Sequence, residues 1–198
     1  MRNANVTAVS VGSDELKINT NEAALRLKIP RGYENEDIKR CDLALKSVLC
    51  CKYAYVRVPV EFKEAGICNL GFGDIESRNL CTALCGCQEA YILGVTIGIK
   101  ADMLIKRLEI ASPAEAFITD ALASAAAESL CELADDTLRG VGKKPIRFSP
   151  GYGDLPLSVQ PAVLAVLNAD YTLGIALSPS FLMTPMKSVT AIMGILPN

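Results

Sequence analysis

The chain has 198 residues, of which 51% are hydrophobic and 21% charged, and a formal net charge of −2, the balance of an ordinary globular protein with length enough for a sizeable core. No basic cluster offers a nucleic-acid surface, and the longest apolar run, 90 to 99, falls short of the roughly 20 residues that cross a bilayer. Histidine is absent, which removes imidazole bases, Ser-His and Cys-His nucleophile pairs, histidine-containing zinc sites and an axial imidazole for a corrinoid or haem.

Residues 1 to 15 are polar with weak strand character and read as an arm that frays or pairs. Met1-Arg2-Asn3-Ala4-Asn5 leads into no apolar stretch, so no signal peptide is expected and a cytoplasmic location is. A short helix is predicted from Asn21 to Ile29, closed by Pro30 and the Arg31-Gly32 turn. Ile38, Cys41, Leu45, Val48 and Leu49 share one helical face and predict a helix over 34–51. Tyr53 to Val60 alternates with β-branched and aromatic residues and predicts a strand. Ser77 is placed to cap a helix running through Leu80 and Leu84 toward Gly86. Tyr91 to Ile97 reads as a buried strand. Ser112-Pro113-Ala114-Glu115 combines a capping serine, a first-turn proline and a capping-box acid, and opens a long alanine-rich helix to about Leu138. Gly140 to Pro145 breaks that helix, Ser158 to Asn168 is predicted helical despite Pro161, and Tyr171 to Leu177 and Lys187 to Ile195 read as strands. With neither linker nor repeat, 1–198 is expected to form one domain.

The window from Arg147 to Gln160 concentrates recognition chemistry: a fixed cation, the turn Ser149-Pro150-Gly151, the ring and hydroxyl of Tyr152, and a second turn. Arg-x-x-x-Gly-Tyr suits a ligand with a carboxylate and a flat heterocycle. Guanidinium grips carboxylate through paired charge-assisted hydrogen bonds. Glycine lets bare backbone approach a ring edge, and tyrosine adds a ring face with one donor and acceptor.

This run resembles the S-adenosylmethionine-binding motif of the activation domain of cobalamin-dependent methionine synthase. Leu182-Met183-Thr184-Pro185-Met186-Lys187 followed by Ser188 to Ile195, and Leu84-Cys85-Gly86-Cys87-Gln88-Glu89-Ala90 followed by Val95-Thr96-Ile97-Gly98, also resemble the stand-alone members of that family. The resemblance spans roughly residues 16 to 196. It implies a single bent α+β domain with a twisted antiparallel sheet. It also implies that Arg147 holds the ligand carboxylate, that Ser149, Pro150 and Gly151 meet the adenine edge, and that Tyr152 meets the ring or carboxylate end. The implied activity is reductive methylation of cob(II)alamin carried by a separate corrinoid-binding or methionine synthase subunit, with a flavodoxin or ferredoxin as electron donor. The fused synthases carry a further acidic ligand contact toward the N-terminal end, for which no counterpart is identified here.

Glu128, among the alanines of the long helix, is a candidate for the ammonium or ribose hydroxyls of S-adenosylmethionine, or else one of a solvated acidic stripe with Glu132 and Asp135. Asp154 and Gln160 read as a turn cap and a helix entry. Cys81, Cys85 and Cys87 lack the spacing of a zinc site, and the eight cysteines are expected to be reduced, core-facing thiols. Gly94-Val95-Thr96-Ile97-Gly98 lacks the order of a dinucleotide-binding loop. Two readings stand beside S-adenosylmethionine binding: a docking module that caps a corrinoid protein without that ligand, and a thiol-ligated metal or redox protein.

Overall fold

The computed structural model of the chain describes residues 5–33, 35–64, 66–138 and 146–196. In chain order the elements are β1 (Thr7–Val11), α1 (Thr20–Leu27), α2 (Glu36–Lys46), β2 (Cys51–Pro59), β3 (Glu61–Glu64), β4 (Ile67–Asn69), β5 (Asp74–Glu76), α3 (Arg78–Ala83), β6 (Glu89–Thr96), α4 (Ile99–Ala111), α5 (Pro113–Leu138), β7 (Arg147–Phe148), α6 (Gln160–Leu167), α7 (Ala169–Thr172), β8 (Ala176–Leu177), β9 (Met183–Thr184) and β10 (Ser188–Ile195). The fold is α+β. Its centre is a five-stranded antiparallel sheet in the order β1-β2-β6-β10-β7. The N-terminal arm pairs: Thr7 to Val11 register against Tyr55 to Cys51. Two small sheets, β3-β4-β5 and β8-β9, lie outside it.

Helices bury both faces of this sheet, so its inner strands are apolar on both sides. On one face Tyr53, Leu93, Val95 and Met193 pack with the buried side of α5. On the other, Val56, Val58, Ile92 and Ala90 pack with Val163, Leu164 and Leu167 of α6. Small residues let α5 sit this close: Ala121, Ala123, Ala125, Ala126 and Ala127 are all buried, and α1, α2 and α4 pack against its other sides. Leu122 and Leu130, at most 1% exposed, each contribute about 2 kcal/mol of burial. Gly94 in β6 serves the opposite face, where a Cβ would come within 2.8 Å of Leu173 and 2.9 Å of Leu167.

Two predicted elements are corrected. The helix expected over 34–51 is α2, which Asn35 caps through Ile38 N at 2.8 Å and which stops at Lys46. Beyond it the Cys50 N–H donates to the Ile97 carbonyl at 2.9 Å, which commits the chain to β2. The strand expected from Tyr171 to Leu177 is α7 followed by the two residues of β8. Asn168 ends α6 in the left-handed conformation, φ 49°, and its carbonyl then accepts from the Tyr171 and Thr172 N–H groups, so a new helical turn begins where an extended run was expected.

Five cysteines, Cys41, Cys51, Cys68, Cys87 and Cys131, are buried as expected of thiols in a core, but Cys50 and Cys85 are exposed and Cys81 is half-buried. Cys50 and Cys85 lie outside helix and strand, the one in the connection just before β2 and the other in the turn after α3, which is why a core position was wrongly expected of them. Among the described residues no group of three or more Cys, Asp or Glu side chains is placed to hold a metal ion, and no helix is long and apolar enough to cross a membrane. The Gly140 to Pro145 break lies outside the described residues.

Candidate functional site

An open groove of about 970 Å³ runs between α5, the segment from Arg147 to Tyr152, the start of β10 and the lip formed by residues 178–186. Its cation is Arg147, carried on β7 and registered opposite Met193 of β10. Phe148, pairing with Ile192, packs into the core of the α6 face. Alternation along β7 therefore turns Arg147 toward α5. There the guanidinium meets two carboxylates: Nη2 donates to Glu128 Oε1 at 2.9 Å, and Nε stands 3.0 Å from Asp135 Oδ2. The second contact is an ion pair rather than an aligned hydrogen bond. The side chains grade from interior to solvent, with Asp135 at 0% exposure, Arg147 at 20% and Glu128 at 44%.

Glu128, Cys131 and Asp135 fall at helical spacing on one face of α5. Burial pushes the Cys131 thiol up to about 12, against the pull of Arg147. Burial also works to lower the Arg147 pKa, but Cys131, Asp135 and Glu128 together outweigh it and raise it above its ordinary value. The site thus keeps a permanent cation on its wall beside an uncharged thiol.

The loop after β7 is locked by its own backbone. Tyr152 N donates to Ser149 O at 3.0 Å, Gly151 N to Leu155 O at 2.9 Å and Leu155 N to Tyr152 O at 2.9 Å, around a Leu155 side chain only 1% exposed. Gly151 holds φ at 88°, a left-handed value that favours glycine. Asp154 reaches out of the loop to α3: its carboxylate accepts from the Ser77 hydroxyl, from Arg78 N at 2.8 Å and from Asn79 N at 3.2 Å. The Ser77 hydroxyl and then the Asn79 and Arg78 amides hold its pKa below the usual carboxylate range.

The opposite wall is polar beneath an apolar rim. Gln160, 2% exposed, donates from Nε2 to Thr190 Oγ1 at 2.8 Å and to Met183 Sδ at 3.2 Å. The segment leading to β10 is tied down twice. Lys187 Nζ pairs with Asp120 Oδ1 at 2.7 Å and donates to Ser124 Oγ at 2.9 Å, while Met186 N donates to Asp102 Oδ2 at 2.7 Å. Tyr152, Leu182 and Met186 stand exposed at the rim.

Of the residues singled out from the sequence, Arg147, Ser149, Pro150, Tyr152 and Glu128 all line the groove. Gly151 does not; it shapes the loop, and its N–H is spent on Leu155. Asp154 is a cap for a distant helix rather than for its own turn, and Gln160 is buried in the groove wall rather than merely opening α6. Asp135 is no part of a solvated stripe, since it is wholly buried against Arg147. The signal for it was its two-turn spacing from Glu128 across Cys131, on the small-residue side of α5.

Neither a protein-family profile nor a curated protein matches the sequence. Among solved structures the chain is similar to a crystal structure of the MetH reactivation domain bound to AdoHcy, with a TM-score of 0.75 at 14% identity over 100% of this chain and 80% of that one. The chain therefore has the fold of the MetH reactivation domain.

Proposed function

We propose that the groove binds S-adenosylmethionine and that the chain supports reductive methylation of cobalamin on a separate corrinoid-binding or methionine synthase subunit. The observation that carries this reading is the placement of Arg147 on the groove wall, with Glu128 beside it and Tyr152 at the rim, in the fold of a domain solved with AdoHcy. The chemistry of these side chains fits the ligand. A charged guanidinium suits its carboxylate, the Glu128 carboxylate suits its ammonium, and the groove volume falls in the range of small-molecule sites.

When bound, S-adenosylmethionine would supply the methyl group to reduced cobalt of the partner's cobalamin and leave as S-adenosylhomocysteine, with a flavodoxin or ferredoxin as electron source. This chain's residues bind and orient. Arg147 fixes the amino-acid end, Ser149 and Pro150, on the loop that Gly151 shapes, border the adenine, and Tyr152 covers the open side. No side-chain base is needed for such a transfer, so the absence of histidine is compatible with it. The expected place of action is the cytoplasm.

Isothermal titration with S-adenosylmethionine and S-adenosylhomocysteine tests the binding step. Methyl transfer should then require a cobalamin-loaded partner and a reductant. Absence of binding, with the partner present or not, would favour the docking-module reading instead. Steady methylation of homocysteine by the isolated chain would contradict the proposed division of labour.

A further inference from the structure

Asp135 is a fully buried carboxylate in a chain whose acidic residues otherwise sit largely at the surface, and it points at the cation of the groove. A buried charge is tolerated only when it is paired. The contact of Asp135 with the guanidinium is shielded from solvent on the carboxylate side, so water does not compete for it. Glu128 is different. Nearly half exposed, its hold on Nη2 is open to competition from water and from other anions. A planar guanidinium with five N–H groups can stay seated on one carboxylate while exchanging another.

From this asymmetry we infer that Asp135 is the positioning residue of the ligand site: it pins the Nε side of Arg147 from the interior, so that the outer edge faces the groove and trades Glu128 for the carboxylate of an amino-acid-bearing ligand. The inference rests on the proposed S-adenosylmethionine site and names how that site is set. Without Asp135, Glu128 draws the guanidinium toward the open solvent, away from the geometry that grips a carboxylate.

Asp135→Asn preserves shape and removes the charge. Titrated with S-adenosylmethionine, this variant should bind about tenfold more weakly or worse. With 5′-methylthioadenosine, which has the nucleoside but no carboxylate, its affinity should match wild type. Equal loss for both ligands would mean general damage to the groove and would overturn the inference. So would unchanged binding of S-adenosylmethionine.

In an Arg147→Ala background the Asp135→Asn effect should vanish, because a residue acting through Arg147 has nothing left to act on. Should Asp135→Asn fail to fold, a crystal structure of the wild-type chain with S-adenosylhomocysteine decides. Arg147 should keep Asp135 and exchange Glu128 for the ligand; loss of the Asp135 contact on binding would overturn the inference. If wild type binds neither S-adenosylmethionine nor S-adenosylhomocysteine, the proposed function falls and this inference with it, whereas binding that is indifferent to Asp135 sinks the inference alone.

Discussion

Arg147 Nε stands 3.0 Å from Asp135 Oδ2, and the Asp135 side chain has no solvent-exposed surface. Removing the cation leaves a buried carboxylate without that countercharge, so Arg147→Ala should cost about 3 kcal/mol of folding stability in addition to ligand affinity. Urea denaturation measures the first effect and titration with S-adenosylmethionine the second, where a loss of about 2–4 kcal/mol is expected. Lysine should recover part of the stability but little of the affinity, because a point charge cannot reproduce the planar fork. If alanine at 147 changes neither quantity, the pairing is incidental.

Gly151 and Gly153 should both resist substitution, for different reasons. At Gly151, with φ 88°, an added Cβ would meet only Leu157 Cδ1 at an ordinary 3.5 Å, so alanine costs about 1–2 kcal/mol of backbone strain without a clash. At Gly153, with φ 55°, the Cβ would also run into the Asn79 amide. Gly153→Ala should therefore lower the denaturation midpoint more than Gly151→Ala. Gly151→Val should weaken ligand binding as well, with no charge changed. The reverse order of stabilities would show that the loop relaxes around Asn79.

The tie from Asp154 to the start of α3 should weaken in acid. Hydrogen bonds from Ser77, Asn79 and Arg78 depress the folded-state pKa of Asp154, so their contribution is fully present above the unfolded value of about 3.9 and is lost as pH falls through the lower folded value. Wild type should exceed Asp154→Asn in stability at pH 7, and the gap should close below about pH 4. A gap that stays constant down to pH 2 would mean the carboxylate charge is irrelevant to this tie.

Thiol alkylation of the native protein followed by mass spectrometry should sort the cysteines by position. Exposed Cys50 and Cys85 should label first. Cys51, held up at about 11, and Cys68 and Cys131, at about 12, should label only on unfolding, since the thiolate is the reactive form. Early modification of Cys131 would show that the α5 wall opens more readily than its packing implies.

The central strands were legible because burial on both faces leaves a run of branched and aromatic residues, as in Tyr91 to Ile97. So was α5, through Ser112-Pro113 and its alanines. Helix α4 was not, because Ile99, Met103 and Ile110 lie on its exposed side and blur its apolar period. The strands β3 to β5 were missed because runs of three or four residues carry too little alternation to register. The motif pointed to Arg147 and Tyr152, which line the groove, whereas helical spacing placed Asp135 only on the face of Glu128: its contact with the cation depends on β7 docking against β10, a pairing between distant stretches of chain. Gln160 was hidden for the same reason, since it opens α6 while its partner Thr190 lies on β10.

β7 is only two residues long, yet its pairing of Arg147 with Met193 and Phe148 with Ile192 decides which side chain faces the groove. A slip of one position would turn the phenyl ring toward α5 and drive the guanidinium into the apolar layer under α6. The site is thus addressed by parity. Changing the length of the connection between α5 and β7 should be tolerated so long as Phe148 still finds its apolar seat, since the aromatic ring rather than the cation sets the register. Phe148 works as the key that orients a lock it never touches.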